Sequence, residues 1–127
     1  MVVDGLKQKF QQYIVDGKMK ILCCDFFELN GQFDLIIEQT FFCALDPSLR
    51  QKYAVKMHSL LNSNGKISGL LFSFPLTDEG PPFGGSIDEY HTNFNKLFDI
   101  QTMEKCYNSI QPRKDRELFI IFNKADH

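Results

Sequence analysis

The sequence predicts an α/β fold, an open sheet with one parallel crossover and an antiparallel hairpin at its carboxyl end. Three observations carry this. Phe33–Ile37 is a short apolar run that releases Glu38, Gln39 and Thr40 at its end, as a buried parallel strand does. A stretch of helical period, residues 48–62, separates it from a second apolar run, Lys66–Phe74, which together make a βαβ unit. Two further extended segments, 98–106 and 116–123, are joined by a polar loop with no helix between them, which predicts an antiparallel hairpin. Ligands of open α/β sheets sit at the carboxyl ends of the strands. A site is therefore expected around Glu38-Gln39-Thr40.

The remaining elements follow in order. Residues 3–14 read as a helix, with Leu6, Phe10, Tyr13 and Ile14 on one face and Asp16-Gly17 as its stop. Met19–Cys24 reads as a strand ending in Asp25-Phe26-Phe27, and Asn30-Gly31 as a tight turn. Asp46-Pro47-Ser48 starts the helix 48–62, whose stripe is Leu49, Tyr53, Met57 and Leu60–Leu61, with Arg50 and the other polar residues off it. Asn62-Ser63-Asn64-Gly65 stops that helix. Pro75–Gly85 is a loop rich in Pro and Gly, of a length usually found in functional or disordered segments. Ser86 followed by Glu89 forms a capping-box pattern for a helix reaching about Leu97. The hairpin loop, 108–115, holds Arg113.

Bulk composition narrows the function classes. The chain has 127 residues, enough for one domain and one core. The formal net charge of -2 lacks the basic excess that a general nucleic-acid grip needs. No apolar run approaches a membrane span and nothing resembles a signal peptide, so a soluble, cytoplasmic protein is expected. Thirteen Phe, four Tyr and no Trp imply an aromatic core built mainly of phenylalanine. Cys23, Cys24, Cys43 and Cys106 include no C-x-x-C pair, and the histidines are scattered, so zinc spacing is absent and buried, reduced thiols in strands are expected.

Several motifs in this order resemble the carboxyl-terminal part of class I S-adenosylmethionine-dependent methyltransferases, and most closely the thiopurine/thiol/halide methyltransferase family. They are Cys24-Asp-Phe-Phe27, Thr40-Phe-Phe-Cys-Ala-Leu45, Arg50 with Tyr53-Ala54, Gly80-Pro-Pro-Phe83 and Ile110-Gln-Pro-Arg-Lys-Asp-Arg-Glu117. The resemblance covers nearly the whole chain. It implies a single partial domain over residues 1–127, a Rossmann-like methyltransferase sheet, N-terminally truncated, with a C-terminal antiparallel hairpin. It implies S-adenosylmethionine as cofactor and a small-molecule acceptor, a thiol, thiopurine, halide or similar soft nucleophile. Asp25 and Phe26 would hold the adenine, and Glu38, Gln39 and Thr40 would line the methionine end. Arg50, Pro82, Phe83 and Arg113 would face the acceptor, with Arg50 attracting an anionic or thiolate group. No catalytic acid–base residue and no metal is implied, because in-line methyl transfer to a soft nucleophile needs chiefly positioning.

The same resemblance implies more chain upstream: a first strand with its glycine-rich loop and a second strand ending in an acid. No G-x-G occurs here. In the implied strand order 3-2-1-4-5-7-6, the loss leaves a gap beside Phe33–Ile37. A conventional core is thus expected within residues 33–123, with exposed sheet edges open to self-association. The alternative expectation is an inactive fragment, acting at most as a structural or oligomerising domain.

Overall fold

The computed structural model describes residues 8, 11, 15, 17, 19–22, 24–74, 83–109 and 116–125. Its centre is a four-stranded sheet, β1 Phe33–Glu38, β2 Leu61–Phe72, β3 Phe98–Lys105 and β4 Glu117–Lys124, in the order β1-β2-β4-β3. β1 and β2 run parallel, as the crossover predicts, with helix α1, Arg50–Leu60, between them in sequence. β4 lies antiparallel to both β2 and β3, so the predicted hairpin forms and its second strand enters the sheet interior. Helix α2, Ile87–Phe94, precedes β3 and contacts α1.

Local chemistry explains the element ends. The Asp46 carboxylate accepts from the Ser48 amide at 2.9 Å and hydroxyl at 2.8 Å, capping a 3-10 turn at Pro47–Leu49 that leads into α1. These two bonds hold the Asp46 carboxyl below its ordinary value. Ser86 caps α2, accepting from the Glu89 amide at 3.3 Å. The helix predicted to reach Leu97 ends at Phe94 and closes in a turn.

Two boundaries differ from the sequence reading in an instructive way. α1 stops at Leu60, and the chain becomes extended at once, so β2 begins at Leu61 and not at Lys66. The stretch 62–65, expected to stop the helix, lies inside β2. Phe33 pairs with Leu61 and Leu35 with Lys66, so the Asn62–Gly65 stretch is accommodated as an irregularity inside the strand pairing. Asn64 takes φ 68°, in the region that Asn tolerates best among non-glycine residues.

The strand predicted at Met19–Cys24 is not formed. Its described residues carry no ladder pairing, and Cys24 is exposed instead of being a buried strand thiol. Strand pairing needs a partner edge, and the sheet offers residues 19–24 no adjacent strand. Cys43 and Cys106 are buried as expected. Of the predicted helix 3–14, Gln8 and Gln11 are helical, as is Val15 just beyond it; the rest lies outside the described residues.

Strand alternation sorts the sheet into two unlike faces. Ile67, Leu71, Leu118, Ile120 and Phe122 pack beneath Tyr53, Ala54, Met57, Tyr90 and Phe94. Aromatic rings dominate this core: Phe94 contacts Phe42, Tyr53, Phe98 and Phe122 at centroid distances of 5.6, 6.1, 5.9 and 5.0 Å. The composition predicted such a core, and it lies between residues 42 and 122. The opposite face shows Leu35 and Ile37 at 49% and 77% exposure, with Phe119 also exposed.

Gly69 is the tightest point of the parallel pairing. It lies opposite Glu38, and a Cβ there would collide with the Glu38 carbonyl. Gly69→Ala is expected to destabilise the fold by about 1–3 kcal/mol, the usual cost of overpacking. Urea denaturation checks this, and unchanged stability would show that β1 is free to shift along β2.

Candidate functional site at the carboxyl end of the parallel strands

The chain leaves β1 through Glu38, Gln39 and Thr40, and Glu38 sets the path. Its side chain turns inward and is 4% exposed. Oε2 accepts from the Phe41 amide at 3.0 Å, and Oε1 accepts from the Phe42 amide at 3.2 Å and from the Tyr53 hydroxyl at 2.5 Å. A buried carboxylate demands such partners. Here they fold the strand exit back over α1. Thr40 adopts φ 60° within this turn, an uncommon conformation for a β-branched residue and one that gathers at functional sites. Gln39 and Thr40 remain exposed.

Asp25 and Phe26 are brought to the same place. Asp25 caps a 3-10 turn, Phe26–Glu28, with Oδ1 accepting from the Phe27 amide at 2.9 Å. The Phe26 ring stacks on Tyr53 at 5.6 Å and meets Phe41 at 5.1 Å. The turn after residues 19–24 is thus docked on the turn after β1 by aromatic contact, although no strand precedes it. Phe26, Leu29, Leu35, Ile37, Met57 and Leu60 help line an apolar cleft of about 310 Å³ along the outer edge of β1.

Arg50 departs most from the sequence reading. The stripe Tyr53, Met57, Leu60 leaves it off the apolar face, yet it is 2% exposed. Helical spacing accounts for this, since position 50 stands three and four residues before the buried Tyr53 and Ala54. Nη1 pairs with the Glu89 carboxylate, and Nη2 donates to the Gly84 carbonyl at 2.5 Å. The guanidinium lies 4.6 Å from the Phe42 ring centroid and 5.9 Å from that of Tyr90. Its Nε is buried with no hydrogen-bond partner. The fork expected to face an acceptor anion is therefore mostly engaged by the protein itself.

The segment Phe83–Gly85 forms a wall beside this network. The Phe83 amide donates to the Cys43 carbonyl at 3.0 Å, and Gly85 exchanges backbone bonds with Phe74 at 2.8 and 3.2 Å. Tyr90 donates to the Phe72 carbonyl at 2.5 Å and lies 3.3 Å from that of Gly84. Gly84 and Gly85 take φ 77° and 149°, and a Cβ on Gly85 would strike the Tyr90 hydroxyl, so glycine is required there. Thr40, Cys43, Leu70, Leu71, Phe72 and Glu117 enclose a small cavity of about 10 Å³ between the strand ends. Pro82 and Arg113 lie outside the described residues. Among the described residues, no group of three or more His, Cys, Asp or Glu is placed to hold a metal, and no helix is long and apolar enough to cross a membrane.

The sequence reading thus placed Asp25, Phe26, Gln39, Thr40 and Phe83 around one end of the sheet. It missed that Glu38 points inward and that Glu89 and Tyr53 are the partners of the buried charges. Tyr53 had a signal, because a phenol on the apolar stripe of α1 needs a buried partner for its hydroxyl. Glu89 was read as half of a capping box; the Ser86 half forms, with the Glu89 amide donating to the Ser86 hydroxyl, while the Glu89 carboxylate serves Arg50.

Comparison with solved structures defines the class. A 1,6-didemethyltoxoflavin-N1-methyltransferase from Burkholderia thailandensis, solved with S-adenosylhomocysteine, superposes with a TM-score of 0.73 at 17% identity, over 97% of this chain and 56% of that one. The N-methyltransferase NodS of Bradyrhizobium japonicum, also with S-adenosylhomocysteine, gives 0.71 at 13% identity, over 95% and 62%. The fold is that of the Rossmann-like methyltransferases, with a mixed, open sheet. Within that class the sequence profile of the thiopurine S-methyltransferase (TPMT) family matches residues 4–125, and the chain belongs to this family. A probable thiol methyltransferase of Arabidopsis thaliana is 35% identical over 96 residues, 73% of this chain and 42% of the relative. The thiopurine S-methyltransferase of Bos taurus is 32% identical over 94 residues, 70% of this chain and 38% of the relative. The chain matches less than half the length of these curated relatives.

Burial and the neighbouring Glu38 charge raise the Tyr53 phenol well above its ordinary value of 10.0, as does the hydrogen bond to Glu38. A raised folded value means that Tyr53 contributes stability fully below pH 10 and loses it as pH rises beyond, when the unfolded phenol ionises and the folded one does not. Unfolding free energy should therefore fall above about pH 10, with Tyr90, also raised mainly by burial, adding to the slope. Tyr53→Phe should cost about 1–3 kcal/mol at neutral pH by removing a donor from a buried carboxylate, and should flatten the alkaline slope. Denaturant titrations at several pH values check both.

Proposed function

We propose that this chain provides the adenine-side turn and the acceptor-side wall of an S-adenosylmethionine-dependent methyltransferase acting on a small thiol, thiopurine, halide or similar soft nucleophile. The family match over residues 4–125 carries this reading. The geometry supports it, because Asp25, Phe26, Gln39 and Thr40 converge at the strand ends where such folds bind ligands. A cytoplasmic location accords with this reading.

The residues present fit the cofactor at its adenine end. One carboxylate oxygen of Asp25 is used by the Phe27 amide, and the side chain is exposed, so the other oxygen is free to accept from an exocyclic amine. Phe26 lines an apolar cleft whose volume, about 310 Å³, lies in the range of small-molecule sites. When bound, the cofactor supplies an electrophilic methyl group on a sulfonium. The protein's part is positional. Glu38 fixes the exit turn, Gln39 and Thr40 face outward from it, and the Phe83–Gly85 wall shields the acceptor side. No side chain needs to move a proton when the acceptor enters as an anion.

A second reading is a non-catalytic domain that associates through its open sheet edge. The exposed Leu35 and Ile37 on the outer strand favour it. Calorimetric titration of the full chain with S-adenosylmethionine separates the two. Binding in the micromolar range is expected for the first reading, and absence of heat together with absence of a thermal shift would leave only the second. Asp25→Ala is expected to weaken cofactor binding by about 0.5–1.5 kcal/mol, the net worth of one hydrogen bond. Unchanged affinity would remove Asp25 from the site.

A further inference from the structure

We propose that Arg50 is a positioning residue, a latch that joins the floor of the acceptor pocket to its wall instead of binding the acceptor with its fork. The inference deepens the methyltransferase reading and rests on it for the word acceptor; the latch itself is defined by contacts within the protein. The floor is the turn 38–42, held by the Glu38 carboxylate. The wall is Phe83–Gly85. Arg50 touches both. Its guanidinium lies over the ring of Phe42, whose amide Glu38 holds, and Nη2 holds the Gly84 carbonyl. Nη1 pairs with Glu89 in the first turn of α2, the helix that grows directly out of the wall.

Three features make this a built device. The Arg50 side chain is almost fully buried, so its charge needs a partner at that place, and Glu89 is only part-buried, at 28% exposure. The wall itself is made of two glycines in left-handed backbone conformations, which have little intrinsic preference for one shape. A planar fork with donors at fixed angles selects one. The other polar link between α1 and α2, Gln51 Nε2 to Asn93 Oδ1 at 3.0 Å, is exposed and does not reach the wall. It provides the internal control.

Amide hydrogen exchange on the full chain tests the latch without requiring activity. The reporters are the Phe83 and Gly85 amides, bonded to Cys43 and Phe74, with Ile67 and Phe122 in the sheet as references. Glu89→Gln and Arg50→Lys are each expected to lower protection at Phe83 and Gly85 at least tenfold and to leave the reference amides unchanged. Gln51→Ala should change neither set. If Arg50→Lys fails to fold, Glu89→Gln decides alone, since Glu89 is part-exposed. Unchanged protection at Phe83 and Gly85 would overturn the proposal, as would an equal loss in the Gln51→Ala control. In a preparation that methylates a thiol, Glu89→Gln should raise the acceptor KM severalfold with cofactor affinity unaltered. Absence of methylation alongside the exchange result would reject the methyltransferase reading and keep the latch.

Discussion

The buried carboxylate of Glu38 is the constraint on which the rest of this structure depends. It lies at the junction of the outer parallel strand and the turn that follows, and its oxygens take two backbone amides and a phenol. Those bonds decide where Phe41 and Phe42 go. Phe41 receives Phe26 and with it the Asp25 turn, whereas Phe42 meets Tyr53, Tyr90, Phe94 and the Arg50 guanidinium. One buried carboxylate thereby ties the end of β1 to an aromatic cluster. The arrangement shows why a desolvated charge is tolerated in a small domain: every oxygen is satisfied, and the partners belong to different elements.

The sheet and its connections were legible in the sequence because they rest on periodicity. The crossover, the hairpin and the Ser86 cap all follow from local patterns that tertiary context did not override. The strand predicted at 19–24 failed for the opposite reason. Its apolar composition satisfies the pattern, but a strand exists only by pairing, and composition does not reveal whether a neighbouring edge is available. Arg50 was misplaced because a charged side chain is ordinarily sorted to the solvent face of a helix. Its burial is decided by Glu89, thirty-nine residues away in sequence. Long-range pairing of charges has no periodic signature, so the α1 spacing marks the buried position but not its partner.

Candidate site residues divide along the same line. Asp25, Phe26, Gln39, Thr40 and Phe83 gather at one end of the sheet, as the order of motifs implied. Glu38 and Arg50 are buried beneath them. Residues of these types attract functional assignments because they are charged and sit next to a strand end. Their contacts, Glu38 to the Phe41 and Phe42 amides and Arg50 to Glu89 and Gly84, tie the turn and the wall to the helices.

The strand order carries a consequence for biosynthesis. β4 is the last strand in the chain, yet it sits between β2 and β3, bonded to both. Until it emerges from the ribosome, the β1-α1-β2 unit and β3 have no backbone bonds joining them. Helices α1 and α2 can dock early, but the sheet closes in a single late event. A nascent chain stalled before residue 117 would hold two unpaired strand edges on either side of an empty lane. Burial of the β4 residues Leu118, Ile120 and Phe122 makes that final insertion the step that completes the core.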